Sequence, residues 1–250
     1  MKKLLICAFI PLLLTGCAGS DKKMPDTPPE VLYKKAHALI EKKEWTESAK
    51  YFDEVERQHP YSIWASRGQV MQAYALYQKG AYNDAVLVLD RFLQMHPGSP
   101  NAPYAVYLKG LCYFNQISDI GREQKVSADA QEAFLTLVSR YPKSVYVNDA
   151  LYRLSVIQDQ LAGKEMEIGR YYEHQRDYLP AMTRFQTVVD VYPSSLQVPE
   201  ALYRLCSCYV ALGMKAQANV IRKELEKKHP DSDWTKLSKK LVNKAKEQQK

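Results

Sequence analysis

The sequence predicts an all-α protein built as a stack of about five helix pairs, and two observations carry that prediction. First, a Pro-x-Ser step recurs five times in the 250 residues: Pro60-Tyr61-Ser62, Pro97-Gly98-Ser99, Pro142-Lys143-Ser144, Pro193-Ser194-Ser195 and Pro230-Asp231-Ser232. Each step follows a His or Tyr and about 30 residues of helix-like pattern, and the prolines lie 37, 45, 51 and 37 residues apart. Repeats of this length are supersecondary units that cannot bury their apolar faces alone and so stack on one another. Second, every unit carries the same small and bulky positions at fixed distances from its proline.

Those positions match the second helix of a tetratricopeptide unit, an antiparallel helix pair of about 34 residues. Counting back twelve, eight and five residues from each proline gives Ser48, Phe52 and Val55; Ala85, Leu89 and Phe92; Ala130, Phe134 and Leu137; Ala181, Phe185 and Val188; then Ala218, Arg222 and Leu225. Only Arg222 breaks the series. A small residue lets two helix backbones approach, and bulky neighbours fill the seam. The first helix of each unit offers a small residue followed three later by a large one: Ala36 and Leu39, Ala73 and Leu76, Gly110 and Tyr113, Gly169 and Tyr172, Cys206 and Tyr209. Each Pro-x-Ser step stops one unit and starts the next. The expected fold is a right-handed superhelical solenoid of about five tetratricopeptide-like helix pairs.

Two units are longer than the rest. The third has eight extra residues around Ile117 to Ser127, and Asp119-Ile120-Gly121 marks an extended loop there. In the fourth, Ala150-Leu151-Tyr152-Arg153-Leu154 reappears 51 residues on as Ala201-Leu202-Tyr203-Arg204-Leu205, so 14 residues exceed the ordinary period of 37. Fourteen residues are about four helical turns, which keeps the apolar face in register. Residues 148 to about 175 are therefore expected to form one long helix, with a kink near Gly163.

The N-terminus reads as an address. Lys2 and Lys3 precede an apolar run from Leu4 to Leu14, too short to span a bilayer. The run ends in Leu14-Thr15-Gly16-Cys17, the form of a bacterial lipobox. That form implies a signal peptide over residues 1–16, S-diacylglycerol and N-acyl groups on Cys17, and stable anchoring by more than one chain. Residue 18 is Ala rather than an inner-membrane-retaining Asp, so the outer membrane is the expected destination. Residues 17–29 read as the lipidated Cys and an extended, Pro-rich tether. Removing residues 1–16 lowers the formal charge from +7 to +5, because two lysines leave with them. A mild basic balance on an exported chain is a poor argument for nucleic acid. The Lys-rich end over residues 235–250 reads as a basic tail with a solvated face.

Candidate functional residues cluster rather than form a catalytic motif. Positions facing the inside of the expected curve include Tyr33, Tyr74, Tyr77, Tyr104, Tyr107 and Phe114. Aromatics give large contact area at low entropic cost, which suits an extended peptide with aromatic side chains. Any one of these tyrosines is equally compatible with packing between repeats; the cluster favours a groove. Around the long helix lie Arg170, Tyr178 and Arg184, residue types enriched at protein interfaces, with a wet helix surface the competing reading. His59, His96 and His229 each precede a repeat-ending proline and suit a helix C-cap better than catalysis. No nucleophile elbow, phosphate loop or zinc helix is present, so neither an enzyme nor a metal or other cofactor is expected. Cys112, Cys206 and Cys208 are odd in number, sit in apolar helical stretches and read as buried free thiols.

With the lipobox and repeats come more specific segments: Pro25-Asp26-Thr27-Pro28-Pro29 followed by Tyr33, Leu89-Asp90-Arg91-Phe92, Pro100-Asn101, Tyr107-Leu108-Lys109-Gly110-Leu111, Tyr141-Pro142-Lys143-Ser144 and Tyr171-Tyr172. On these the whole chain resembles the BamD family, the tetratricopeptide-repeat lipoproteins of the outer-membrane β-barrel assembly machinery. The resemblance implies a non-enzymatic scaffold, lipid-anchored in the outer membrane and facing the periplasm. It implies that the repeats over residues 148–234 bind the periplasmic domains of the β-barrel insertase, with Arg184 at a family contact position. It implies that the repeats over residues 30–147 recognise the aromatic-ending C-terminal signal of unfolded outer-membrane proteins, and that other assembly lipoproteins are partners. A periplasmic tetratricopeptide lipoprotein that coordinates cell-wall or division proteins is the alternative. Cys112, Cys206 and Cys208 belong to no family motif, and the C-terminal tail is more basic than the resemblance implies.

Overall fold

A computed structural model describes residues 24–117 and 124–247. Among these residues all regular structure is helical: α1 (Pro29–Glu41), α2 (Trp45–Gln58), α3 (Ile63–Lys79), α4 (Tyr82–Met95), α5 (Ala102–Phe114), α6 (Gln124–Arg140), α7 (Val147–His174), α8 (Tyr178–Val191), α9 (Val198–Ala211), α10 (Lys215–Lys228) and α11 (Asp233–Glu247). Helices pack with their chain neighbours as five pairs, α1–α2 through α9–α10, and α11 closes the stack against α9 and α10. The signal peptide, Cys17, the first part of the tether and most of the expected loop of the third unit lie outside the described residues.

The pair crossings follow the sequence pattern. The fourteen matching second-helix residues, from Ser48 and Phe52 to Ala218 and Leu225, are all 0% exposed. Arg222 is half-buried and pairs with Glu226 at 2.8 Å. In the third and fourth pairs the facing residue is glycine: a Cβ on Gly110 would stand 2.5 Å from the Phe134 ring, and one on Gly169 would stand 2.5 Å from Phe185. In the first pair Ser48 Oγ donates to the Ala36 carbonyl at 2.9 Å, and in the fifth Cys206 Sγ donates to the Ala218 carbonyl at 3.4 Å.

The turns explain why the repeats are legible. At every Pro-x-Ser step the serine N–H donates to the carbonyl of the residue before the proline: Ser62 to His59, Ser99 to His96, Ser144 to Tyr141, Ser195 to Tyr192 and Ser232 to His229, at 2.9–3.2 Å. Proline presets φ at the second position of such a turn, and its missing N–H ends the preceding helix. The serine hydroxyl then accepts from a backbone N–H at the N-cap or in the first turn of the next helix, those of Ala65, Asn101, Tyr146, Gln197 and Trp234. Within pairs, Glu44, Ala81, Asp177 and Met214 donate back to the carbonyls of Leu39, Leu76, Tyr172 and Tyr209. These helix ends are Schellman motifs, whose left-handed residue is Lys43, Gly80, Arg176 or Gly213.

Helix α7 is the single long helix expected, continuous through Gly163. Its first half supplies Ala150, Leu154 and Ile157 to one core, shared with α3–α6; its second half supplies Ala162 and Met166 to the other, shared with α8–α10. The two cores therefore meet inside α7, whereas the sequence reading divides the halves at residue 148. The sequence predicts a basic tail over residues 235–250, but α11 occupies Asp233–Glu247 and buries Thr235, Ser238 and Val242. Lys236, Lys239, Lys240 and Lys244 face solvent around a narrow apolar stripe, and charge content alone hides that stripe. The Pro-rich segment is also less of a free tether than expected. Thr27 N–H donates to Gln58 Oε1 at 2.9 Å, Gln58 Nε2 donates to the Pro25 carbonyl at 3.1 Å, and His59 Nε2 donates to the Thr27 carbonyl at 2.7 Å. Pro29 already belongs to α1.

Candidate functional site

The aromatic residues separate into two kinds. Tyr33, Tyr107 and Tyr203 occupy equivalent positions, three residues before the small residues Ala36, Gly110 and Cys206. Trp64, Tyr146 and Trp234 each lie four residues after a Pro-x-Ser proline. The structure joins these two sets one to one: Tyr33 with Trp64 at 4.9 Å between ring centroids, Tyr107 stacked on Tyr146 at 4.7 Å, and Tyr203 with Trp234 at 5.2 Å. An aromatic clasp of this kind ties the first helix of one repeat to the start of the next. Tyr33 and Tyr107 thus have a packing role that the groove reading did not give them, since the contact spans a turn and is not visible in one helix.

The rest of the expected groove gathers around Tyr104. Its ring lies 5.4 Å from Tyr146, and Tyr74, Tyr77, Tyr107 and Tyr146 are its electrostatic neighbours. Tyr74 meets Trp45 edge-on at 6.2 Å, and Tyr77 lies 5.7 Å from Tyr82 while its hydroxyl accepts from Asn115 at 2.8 Å. All five of the predicted tyrosines are half-buried, so each keeps a face or edge toward solvent. Val70 and Leu111, on the same helices, are buried in the core. Trp45, Trp64, Tyr82 and Tyr146 are additions that the sequence reading missed. The recurring aromatic after the proline was the available signal for Trp64 and Tyr146.

Electrostatics on this face are set by burial and by one ion pair. Burial, then its tyrosine neighbours, pushes the Tyr104 hydroxyl well above the ordinary tyrosine range. Burial and a hydrogen bond to Asp149 push Tyr107 up to about 12. The Tyr107 hydroxyl donates to Asp149 Oδ2 at 2.7 Å, and Arg153 Nε donates to the same oxygen at 2.5 Å. Burial would raise the Asp149 carboxyl, but those two donors outweigh it and hold the group below its usual value. The Tyr104 and Tyr107 hydroxyls therefore stay protonated at neutral pH, placed at the edge of an apolar contact.

The segments that carried the resemblance have structural reasons. Asp90 pairs with Lys109 at 2.6 Å, linking α4 to α5, and Arg91 reaches Glu56 at 3.4 Å, linking α4 to α2. Leu89 and Phe92 are core, and Gly110 leaves room for Phe134.

Near the long helix, Arg184 reaches from α8 to Glu165 of α7 at 3.0 Å, and Arg170 leaves α7 for Glu200 of α9 at 3.1 Å. Tyr178 packs on the second core. Arg204 extends the network by donating to Glu200 and Glu173. The two arginines predicted at an interface are therefore already paired within the chain, on surfaces that stay partly exposed. Close by, Leu179 and Val191 are 66% and 58% exposed.

Cys112, Cys206 and Cys208 are free and buried, and burial pushes their thiols up to about 12, 11 and 12. His59, His96 and His229 occupy the C-cap positions of α2, α4 and α10. Among the described residues, no group of three or more His, Cys, Asp or Glu is placed to hold a metal ion. No described helix is long and apolar enough to cross a membrane.

Comparison with known proteins covers almost the whole chain. Residues 25–225 match the family model YfiO, described as "Outer membrane lipoprotein". A Caulobacter vibrioides protein named outer membrane protein assembly factor BamD is 39% identical, over 92% of this chain and 77% of the relative. Proteins of the same name are 33% identical in Rickettsia prowazekii, over 97% of both chains, and in Neisseria meningitidis, over 94% of both. Among solved structures, the TPR2AB domain of yeast Sti1 in a pHSP90 complex is similar with a TM-score of 0.45 and 12% identity, over 87% of this chain and 83% of that one.

Proposed function

The chain belongs to the YfiO family of outer membrane lipoproteins, and from that premise we propose that it is a non-enzymatic scaffold for the assembly of outer-membrane β-barrel proteins. Its relatives named as BamD assembly factors match it nearly end to end, which is the observation that carries the reading. Cys17 takes an S-diacylglycerol and an N-acyl group and anchors the fold in the outer membrane on the periplasmic side. Clipping of the Pro25–Thr27 segment onto the end of α2 gives that anchor a fixed exit point from the stack.

In this reading the first three pairs receive the aromatic-ending C-terminal signal of unfolded outer-membrane chains. Tyr74, Tyr77 and Tyr104 form the contact face, and Tyr33 and Tyr107 hold the repeats that present it. The half-buried placement of these rings supports the assignment, because apolar area and a hydroxyl are offered together. The second half binds the periplasmic domains of the insertase. Arg170 and Arg184 exchange or share their glutamate partners there, and Tyr178 and Leu179 add apolar area. Other assembly lipoproteins share the remaining surface.

Peptide binding tests the first assignment. Tyr74→Ala with Tyr77→Ala should weaken binding of an aromatic-ended peptide by about tenfold in fluorescence anisotropy, the order expected for losing two aromatic contacts. Unchanged affinity in a variant that melts like the parent would place the contact elsewhere.

A further inference from the structure

We infer that the groove between the start of α5 and the α6–α7 turn is a subsite for a peptide's terminal carboxylate, with Arg140 and Lys143 holding the charge. The inference rests on the reading of the first half as peptide-recognising, and it adds a site that recognises the end of the chain rather than its aromatic side chains alone. The groove has a volume of about 620 Å³. That is room for a few residues of extended chain, not for a folded partner.

The chemistry of the walls is one-sided. Pro100, Pro103, Tyr104, Tyr141, Pro142 and Tyr146 supply apolar surface; among the described residues Arg140 and Lys143 supply the only charges, and no carboxylate lines the groove. The neighbouring groove, which shares Arg140 and Tyr141, is lined by Asp90, Asp129 and Glu132. Both Arg140 and Lys143 are exposed, and neither is paired with an acidic side chain among the described residues. Two helices begin at this groove, α5 after Asn101 and α7 after Tyr146, and neither N-cap side chain makes a capping bond. Helix N-termini add positive potential toward an anion.

Comparison of the five turns shows that the fold does not require these charges. The residues two before and one after each proline are Gln58 and Tyr61, Met95 and Gly98, Arg140 and Lys143, Val191 and Ser194, and Lys228 and Asp231. All five turns have the same hydrogen bonds, yet only the third carries two cations at these places. The turn holds Lys143 in place through the Ser144 N–H to Tyr141 carbonyl bond at 2.9 Å. Arg140, in the last turn of α6, lines the same groove as Tyr104 and Tyr146. A carboxylate between the cations would set its adjoining aromatic side chain against the Tyr104–Tyr146 pair.

The test measures binding of a fluorescent peptide ending in phenylalanine, as free acid and as C-terminal amide, to the purified full-length chain in detergent. The free acid should bind about tenfold more tightly, as expected for one charge-assisted contact, and the ratio should shrink as salt rises. Arg140→Gln with Lys143→Gln should bring the ratio to near one while leaving amide affinity unchanged; both side chains are exposed, so the melting temperature should hold. Equal binding of acid and amide by the parent would overturn the subsite and leave peptide recognition standing. A ratio that persisted in the double variant would also overturn it, by placing the carboxylate elsewhere. Failure of both peptides to bind would remove the peptide-recognition reading and the subsite together.

Discussion

Gly110 and Gly169 show how little room the pair crossings leave. The facing rings, Phe134 and Phe185, are 0% exposed and cannot swing aside. Gly110→Ala and Gly169→Ala should each cost about 1–3 kcal/mol, the range for overpacking a dense core, despite alanine's better helix propensity. Denaturant unfolding measures this directly; a gain in stability would mean the crossings are looser than described. The thiols give a second test at the same scale. Burial raises Cys112, Cys206 and Cys208 from an ordinary value of 9.0 to about 12, 11 and 12. The folded state then holds protons that the unfolded state releases, so their stabilisation is complete below pH 9 and declines as pH rises toward 11–12. Unfolding midpoints should fall between pH 9 and pH 11, and a variant with all three replaced by Ala should fall less steeply over that window. At neutral pH the native thiols should resist thiol reagents, and rapid labelling would contradict their burial. The sequence placed these cysteines, and the fourteen crossing residues, correctly because their neighbours recur at fixed spacing. It did not reveal that Tyr33 and Tyr107 clasp Trp64 and Tyr146, because such partners lie 31 and 39 residues away across a turn.

At the level of elements, turn chemistry made the architecture readable. A proline to stop one helix and a serine to start the next are local requirements, so they recur with the repeat and can be counted. The long α7 was legible for a similar reason: a four-turn insertion preserves the helical face, and the duplicated Ala-Leu-Tyr-Arg-Leu segment exposed it. What could not be read is where α7 changes allegiance. Ile157 belongs to one core and Ala162 to the next, and that depends on which helices stack against it. Helix α11 was missed because its charge content obscured a thin apolar stripe. Terminal repeats of a solenoid need a cap with one polar face, and α11 supplies it by covering Cys206 and Ala218 with Val242. A chain ending at residue 232 should therefore lose about 2–4 kcal/mol and bind a hydrophobic dye, from the exposed end of the stack. Thermal melts of the truncated and parent chains check this, and equal stability would show that α9 and α10 need no cap.

Across the whole molecule, two cores share one long helix, and that layout suits a chain with two jobs. The first core carries the aromatic face and the Arg140–Lys143 groove; the second carries the arginine network and the exposed Leu179 and Val191. Because α7 contributes to both, a fragment cut at residue 147 would deprive the first core of Ala150, Leu154 and Ile157. Separating the two roles therefore calls for surface substitutions rather than truncation. The scaffold account is tested most directly by a detergent pull-down of the C-terminally tagged chain from native membranes, with mass spectrometry of the proteins recovered. The account predicts stoichiometric recovery of an outer-membrane β-barrel protein that bears periplasmic domains. Recovery of cell-wall or division proteins without that barrel would contradict it.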